Sequence, residues 1–299
     1  MTPQSLVSVV LPTYNMARFL PEALQSVLSQ TYRHLEVHVI DDGSVDNPKE
    51  AIAPLMHDSR VRYHWQPNGG QGRAKNLGIR ASSGDYIAFI DADDLWVPDK
   101  LERQLPVFDR PEVGVVYTGF QKIDQGGAPL PTTQVTPRTG RITNDLLIEN
   151  FVTGMTAVVR RQCFDVVGLF DESLPMAIDY DLWLRISIRF EFAYLDHVTY
   201  LYRHWGGQMS RNYDKRLECA MLVMRRLLDA HPGLVPPDVE NEAWAHTYVY
   251  GGDGFAKAGR RRMALRWYLK ALRTRPHYVR AWIQILKFTA RSALAPLVR

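Results

Sequence analysis

The first 120 residues alternate between short strand-like runs and longer segments with helical spacing, which restricts the folds open to this chain. The intervening segments repeat apolar residues at the intervals of an amphipathic helix. The runs are rich in β-branched and aromatic residues and cover residues 6–12, 35–41, 61–65, 86–91 and 113–120. This alternation predicts an α/β domain with a mostly parallel sheet that is covered by helices on both faces.

Polar clusters follow three of the predicted strands. They are Thr13-Tyr14-Asn15, Asp41-Asp42-Gly43-Ser44 and Asp91-Ala92-Asp93-Asp94. In open α/β sheets, ligands bind at the carboxyl ends of the strands, where the connections diverge. We therefore expect the three clusters to converge on one crevice.

The pattern changes after residue 120. Residues 124–140 contain several Gly and Pro and predict a loop, helices are expected at 142–150 and 179–189, and strands at 192–196 and 198–202. From about residue 213 only helical periods follow, and part of this region resembles a tetratricopeptide hairpin. The expected organisation is an α/β domain over residues 1–210 and an all-helical extension over 211–299.

Acidic and basic residues are distributed unevenly along the chain. The net charge is +4, yet no acidic residue follows Asp253, and residues 254–299 hold twelve of the 36 Lys and Arg. The preceding part therefore carries 24 basic and 32 acidic residues. Basic and aromatic residues on helices suit an anionic membrane surface. The alternative is a solvated basic face packed against the acidic body, and binding of nucleic acid is not expected because no recognised module accompanies the charge.

The cysteines and the apolar stretches limit the compartments open to the chain. Cys163 and Cys219 form no disulfide or zinc-binding pattern and are expected to be inert thiols in a reducing compartment. The longest apolar runs are too short to span a bilayer, and the N-terminus has no signal-peptide pattern. We expect a cytoplasmic protein, which the basic extension could hold at the inner face of the membrane.

The polar clusters contain side chains that suit a nucleotide and a divalent cation. Asp91 and Asp93 offer the oxygen ligands with which Mg²⁺ or Mn²⁺ binds together with a substrate's phosphates. Helix capping is an equally good reason for such a motif. Tyr14 could stack on a nucleobase, and Asp42 could accept one of its N–H groups.

The segment at residues 68–72 combines glycines with the start of a predicted helix. Its sequence, NGGQG, leads into Arg73 and Lys75. It offers flexible backbone, a helix N-terminus and two cations to a diphosphate. Neither a Walker loop nor the GxGxxG pattern of dinucleotide-binding domains is present.

Seven motifs lie within residues 6–210. They are VSVVLPTYN at 7–15, SVLSQTY at 26–32, DDGS at 41–44, NLG at 76–78, DADD at 91–94, VGLFDE at 167–172 and DYDLWLR at 179–185. In this order they resemble the family 2 glycosyltransferases with the GT-A fold. The resemblance implies an inverting, metal-dependent enzyme that uses a nucleotide-sugar, usually a UDP-sugar.

The resemblance assigns donor-binding roles to individual residues. Pro12, Thr13, Tyr14 and Asp42 correspond to the nucleoside-binding set, with Tyr14 against the base and Asp42 on its ring N–H. Arg73 is similar in position to a basic residue that meets the diphosphate.

The resemblance also implies a metal site and a catalytic base. Asp91-Ala92-Asp93 corresponds to the DxD motif that binds the nucleotide-sugar and Mn²⁺ or Mg²⁺, with Asp93 as the direct metal ligand. His204 would approach the metal or the diphosphate from the far side, and a structural histidine is the alternative. Asp179 corresponds to the base, although Ile178 stands where the family often has Glu. Asp181 competes for this role, but two residues further along a helix it should point elsewhere.

The expected reaction follows from what the sequence shares with the family and what it lacks. Processive polysaccharide synthases of the family carry a QxxRW motif and membrane spans, and the sequence contains neither. We therefore expect transfer of a single sugar to a hydroxyl of a saccharide or lipid-linked saccharide, in glycan or cell-surface polysaccharide synthesis. A nucleotidyltransferase and a non-catalytic nucleotide-sugar-binding scaffold are the alternatives.

Overall fold

The computed structural model describes residues 5–133, 136–206 and 213–294, with Tyr213 and residues 288–294 described by their backbone alone. Contacts divide the chain into two compact units. The first unit contains the residues up to Ile142 and those from Phe151 to the end of the last strand. The second unit contains Thr143–Asn150 and the helices that follow the sheet. The predicted boundary at residues 210 and 211 lies outside the described residues.

The first unit is built on one sheet of eight strands. They are β1 (Val7–Thr13), β2 (Leu35–Asp41), β3 (Val61–Trp65), β4 (Tyr86–Phe89), β5 (Leu95–Trp96), β6 (Val113–Ile123), β7 (Val158–Arg160) and β8 (Glu191–Arg203). Their order is β3-β2-β1-β4-β7-β6-β8-β5. Four pairings are parallel, and the pairings β4–β7, β6–β7 and β5–β8 are antiparallel. The predicted α/β class is confirmed, and the sheet is mixed.

The sequence predicts two strands at residues 192–196 and 198–202, whereas the structure has one, β8. It runs without interruption along β6, but the register shifts where Thr118 pairs with Leu195 and Gly119 pairs with Val198. The polar residues Asp196 and His197 lie in this irregularity, so one strand absorbs them as a bulge. Strands β5 and β7 were not predicted because two or three residues are too few to establish a period.

Helices cover both faces of the sheet. In chain order the helices of the molecule begin with α1 (Leu20–Leu28), α2 (Pro48–Ala51), α3 (Gln71–Ala81), α4 (Lys100–Gln104), α5 (Thr143–Ile148), α6 (Arg161–Val167) and α7 (Ile178–Ser187). All of these except α5 belong to the first unit. The residues of β1 from Val7 to Leu11 are buried, as expected of a strand with helices on both sides.

Helix α3 lies unusually close to β1. A Cβ atom at Gly78 would overlap the side chain of Val10, which is itself fully buried and cannot move away. Only glycine permits this approach, and the approach fixes where the N-terminus of α3 lies.

A buried carboxylate ties the edge of the sheet together. Glu36 in β2 accepts hydrogen bonds from the Ser8 hydroxyl and the Ser83 backbone N–H, both at 2.7 Å, and from Arg62 at 3.0 Å. Burial raises the pKa of Glu36, but the hydrogen bonds from Ser83 and Ser8 and the neighbouring His38 outweigh it and lower the pKa to about 2. Burial also lowers the pKa of His38, which stacks on His64.

We expect this cluster to make folding acid-sensitive. The pKa of Glu36 in the folded state lies below its ordinary value of 4.5, so its stabilisation is complete above pH 4.5 and is lost as the pH falls towards 2. At 1.36 kcal/mol per pKa unit the loss is at most about 3 kcal/mol. His38 and His64 act in the same direction from about pH 6.5 downward, because the unfolded chain protonates them more readily.

Urea unfolding between pH 3.5 and 7 measures this effect. Glu36→Gln should be less stable at pH 7 and should lose less stability than the parent between pH 5 and 3.5. Parallel pH profiles for the two proteins would show that Glu36 does not carry the acid response.

The second unit is helical in its described part. Besides α5 it contains α8 (Tyr213–Ala230), α9 (Pro237–Lys257), α10 (Arg261–Thr274) and α11 (Val279–Leu294). Helices α9 and α10 form a hairpin with a short connection, and a Cβ atom at Gly252 would overlap the ring of Tyr268. Ala264, Tyr268 and Ala271 of α10 are buried in the unit's core. Within the described residues, none of the helices has the length and apolar character that a bilayer crossing requires.

Candidate active site

The loops after β1 and β2 are bonded to each other. The Asn15 backbone N–H donates to Ser44 Oγ at 3.0 Å, and the Asn15 side chain accepts from the Val45 N–H at 2.9 Å. Ala17 N–H donates to Asp46 at 2.8 Å. Asn15 adopts a positive φ of 54°, which Asn tolerates better than most residues. The two loops thus form one wall at the carboxyl edge of the sheet.

Residues at the end of β1 differ in their exposure. Pro12 is half-buried, and the ring of Tyr14 is 48% exposed. Thr13 is buried, and its hydroxyl has no hydrogen-bond partner among the described residues. A buried hydroxyl without a partner is costly, so this atom is suited to a ligand.

Asp42 holds the loop that precedes α3. Its Oδ1 accepts from Gln66 Nε2 at 2.6 Å and from the Gly69 N–H at 2.8 Å, and its Oδ2 accepts from the Gly70 N–H at 2.8 Å. The sequence motif did not indicate this structural role. Each carboxylate oxygen can accept two hydrogen bonds, so Oδ2 keeps capacity for a further N–H.

The N-terminus of α3 has the features of an anion site. Gly70 precedes the helix with φ of +87°, and no side chain caps it. Arg73 is exposed in the first turn. Gln71 Nε2 lies 3.4 Å from Asp91 Oδ1, so the helix begins beside the DADD turn. The N–H groups of the first turn, the helix dipole and a cation here favour a negatively charged ligand.

The last carboxylate of the DADD turn is structural. Asp94 is buried and accepts from the Tyr200 hydroxyl and the Arg203 backbone N–H, each at 2.7 Å. Burial and the charges of Asp93 and Asp91 raise its pKa well above the ordinary value. Ala92 is buried as well. Asp94 therefore anchors the turn to β8.

Asp93 is held by the residue that follows His204. Trp205 Nε1 donates to Asp93 Oδ2 at 2.7 Å, and the buried Arg203 donates to the Asp93 carbonyl at 2.8 Å. His204 is exposed. Side chains alternate along an extended chain, so Arg203 and Trp205 point to one side and His204 to the other. This alternation could have identified Trp205 from the sequence.

The predicted ligand trio Asp91, Asp93 and His204 is not assembled. Across residues 5–133, 136–206 and 213–294, no three His, Cys, Asp or Glu side chains lie close enough together to hold a metal ion. Of these three predicted ligands, only Asp91 and Asp93 lie near each other, and the charge of Asp93 acts on Asp91. A cation at this position would need ligands from outside the chain, such as phosphate oxygens and water.

Asp179 lies at the start of α7, beside the DADD turn. Burial and the charges of Asp93 and Asp179 raise the pKa of Asp91 to about 6, against the opposing charge of Lys75. Lys75 Nζ lies 3.2 Å from Asp179 Oδ1. Asp181 is engaged elsewhere, because it pairs with Arg185 at 2.6 Å.

The structure corrects the interpretation of Lys75. The sequence suggested that this residue offers a cation to a diphosphate, but its side chain is fully buried and paired with Asp179. Arg73, two residues earlier, is the exposed cation of α3.

Together these groups form a site with a surplus of negative charge. The charges of Asp93, Asp179 and Lys75 act on Asp91, whose pKa is raised first by burial and then by the two carboxylates, which leaves an excess of negative charge. A divalent cation would offset it, and carboxylate oxygens are the ligands that Mg²⁺ and Mn²⁺ prefer. The residues therefore fit such a cation together with a diphosphate at α3.

Known sequences place the chain among sugar-transferring enzymes. It is 37% identical over 199 residues to an uncharacterised glycosyltransferase of Rickettsia typhi, a match that covers 64% of this chain and 61% of the relative. A Rickettsia conorii relative is 34% identical but is covered over only 31% of its length. The chondroitin synthase of Pasteurella multocida is 30% identical over 75% of this chain and 23% of its own length. The chain thus spans from about a quarter to less than two thirds of these relatives.

Solved structures share the fold at low sequence identity. TarS 1–349 of S. aureus in complex with UDP-GlcNAc has a TM-score of 0.67 and 17% identity, over 91% of this chain and 81% of that one. The mannosyltransferase PcManGT of Pyrobaculum calidifontis, in complex with GDP-Man and Mn²⁺, has a TM-score of 0.65 and 19% identity, over 98% and 81%. These likenesses confirm the GT-A fold that the motifs implied.

A family model supplies the assignment for the region that contains β1, the DADD turn and α3. The model described as glycosyl transferase family 2 matches residues 8–168, more than half of the chain. With the shared fold and the related sequences, this match shows that the chain is a member of glycosyltransferase family 2.

Proposed function

We propose that this glycosyltransferase transfers a single sugar from a UDP-sugar to a hydroxyl of a saccharide or lipid-linked saccharide, with inversion at the anomeric carbon. The observation that carries the proposal is the position of Asp179. Its Oδ1 lies 3.2 Å from Nζ of Lys75 in α3, the helix that begins beside Asp91, so a base candidate adjoins the donor-site candidates. An inverting transfer needs both in one site.

The nucleoside would bind against the loops after β1 and β2. The exposed Tyr14 ring can stack on the uracil, and Asp42 Oδ2 can accept its ring N–H. The Thr13 hydroxyl gains a partner if the nucleoside reaches it. Pro12 and the buried Ala92 would contribute packing around the donor.

The diphosphate would bind between α3 and the DADD turn. The uncapped N-terminus of α3 and the exposed Arg73 supply positive potential on one side. Asp93 and Asp91 would hold Mn²⁺ or Mg²⁺ on the other, and the cation would bring Lewis-acid charge to the departing diphosphate.

In the proposed transfer step each of these groups has a role. The acceptor oxygen attacks the anomeric carbon from the side opposite the diphosphate, and the bond from that carbon to the diphosphate oxygen breaks. Asp179 takes the hydroxyl proton as the new bond forms. Arg73 and the N–H groups of α3 stabilise the negative charge that develops on the leaving UDP.

A release assay tests the proposal. The full chain would be incubated with UDP-GlcNAc, UDP-Glc or UDP-Gal and an oligosaccharide acceptor, with Mn²⁺, Mg²⁺ or EDTA, and free UDP would be measured. We expect release from one donor, dependent on the metal. UDP binding in calorimetry without release from any donor would favour the non-catalytic scaffold. Pyrophosphate release from UTP and a sugar phosphate would favour the nucleotidyltransferase.

We also propose that the second unit binds an anionic membrane surface, which suits a lipid-linked acceptor. The exposed apolar residues of α11 recur at positions i, i+3, i+4 and i+7, and they are Val279, Trp282, Ile283 and Leu286. Arg262, Arg266, Lys270 and Arg273 of α10 are exposed, and Lys287 is exposed on α11. An apolar stripe with neighbouring cations and no acidic residue after Asp253 matches an anionic interface.

We expect the protein to float with vesicles that contain phosphatidylglycerol and not with pure phosphatidylcholine. The double variant V279S/I283S should bind at least about tenfold less, because each buried CH₂ contributes about 0.8 kcal/mol. Val166→Ser is the matched control, since Val166 is an exposed valine on α6. Equal flotation of both variants, or none by the parent, would contradict the membrane face.

A further inference from the structure

A buried ammonium lies directly beside the proposed base. Lys75 in α3 is fully buried, and its Nζ lies 3.2 Å from Asp179 Oδ1. The two residues are 104 positions apart in the chain, so only the fold brings them together. A lysine is almost never fully buried unless it is paired.

The surroundings of this ammonium leave it little contact with substrate. Nζ lies 5.7 Å from the centre of the Phe89 ring and 5.3 Å from that of Phe170. Its charge also acts on Asp91, on the donor side of the site. Lys75 is therefore paired with the carboxylate of the proposed base and lies near two aromatic rings, and its charge acts on a carboxylate of the DxD motif.

The backbone that carries Lys75 is held on two sides. The next residue, Asn76, donates to the Phe170 carbonyl at 2.9 Å and to Glu172 at 2.8 Å, and accepts from the Phe170 N–H at 3.0 Å. Gly78 packs against Val10 of β1. These contacts hold the backbone of α3 at Lys75, whose side chain is fully buried.

The opposite side of Asp179 is also restricted. Gly154 lies so close that a Cβ atom there would be 2.5 Å from Asp179 Oδ2 and 2.8 Å from Cγ. Ala177, two residues before Asp179, has a φ of +60°, a conformation that is strained for alanine. Strained backbone persists where surrounding contacts enforce it, and here it sets the direction in which α7 begins.

We propose that Lys75 is a positioning residue for the transfer reaction, which fixes one carboxylate oxygen of Asp179 so that the other can receive the acceptor proton. The inference rests on the proposed function, in which Asp179 is the base. It assigns Lys75 no contact with substrate. Loss of the ammonium would leave Asp179 free to rotate away from the acceptor hydroxyl.

A double-mutant cycle tests this role. We expect Lys75→Met to lower kcat by about 10²-fold, the size of effect that misplacement by 1 Å can cause, while the donor KM and the Kd of UDP change by less than about threefold. In the Asp179→Asn background, Lys75→Met should cause no further loss. Lys75→Arg keeps the charge and should recover part of kcat. Arg80→Met removes an exposed ion pair from the same helix and serves as the control.

Each other outcome overturns a different statement. Additive losses in the double variant would show that Lys75 acts independently of Asp179. Loss of UDP binding in both Lys75→Met and Lys75→Arg would show that the lysine only supports the fold. An unchanged kcat in Asp179→Asn alone would show that Asp179 is not the base. The proposed role of Lys75 would then be wrong as well.

Discussion

Asp179→Asn is expected to lower kcat by about 10²- to 10⁴-fold, the range that removal of a general base produces. Asn has nearly the same shape as Asp and can still meet the Lys75 ammonium through its carbonyl oxygen, so the pocket should stay intact. The affinity for UDP should therefore remain within about threefold of the parent. Initial rates of UDP release and calorimetry of UDP binding measure the two quantities separately.

The matched control for this variant lies two residues further along α7. Asp181→Asn removes a carboxylate that pairs with Arg185, whose guanidinium also donates to the carbonyls of Val167 and Leu169. We expect Asp181→Asn to lower the Tm and to leave kcat nearly unchanged. If Asp181→Asn stops turnover and Asp179→Asn does not, the base has been assigned to the wrong carboxylate.

Asp93→Ala is the second change with a large expected effect. Its carboxylate is the proposed metal ligand, so the variant should lose at least about 10²-fold in kcat/KM, comparable to the loss of one donor to the developing charge. Its residual rate should no longer respond to Mn²⁺. Titration of the rate with Mn²⁺, and calorimetry of UDP with Mn²⁺ or EDTA, measure both effects.

Asp94→Asn separates this result from damage to the turn. Asp94 accepts two buried hydrogen bonds from β8, so its substitution should lower the Tm while the remaining folded protein keeps its response to Mn²⁺. A metal response that survives in Asp93→Ala would show that the cation binds without this carboxylate.

The strands around the site were predictable because they are rich in β-branched and aromatic residues. Strands β1 and β2 are buried along nearly their whole length. Strand β1 is an almost continuous apolar run, as is typical of central parallel strands, while β2 also contains the buried Glu36 and His38. Their ends then mark the carboxyl edge of the sheet, which is why the TYN, DDGS and DADD clusters could be recognised as candidates. Strand β7 has three residues and carries no comparable signal.

The contacts within the site could not be predicted from spacing. Lys75 and Asp179 meet across 104 residues, and their pairing depends on how α3 packs on β1. The three hydrogen bonds that Asp42 accepts come from a loop whose path the sequence leaves open. The chemistry of histidine makes His204 a candidate ligand, whereas the direction of the chain after β8 turns Trp205 towards Asp93.

Because of helix α5, truncating the chain at one position cannot separate the two units. It lies between parts of the first unit in the sequence, yet it packs against α9 of the second, and its Leu146 and Leu147 are fully buried. A chain shortened at residue 210 would keep this helix and lose its contacts with α9. Such a truncated enzyme should aggregate unless these two positions are made polar, so poor behaviour of a shortened chain would say nothing about whether the helical unit takes part in sugar transfer.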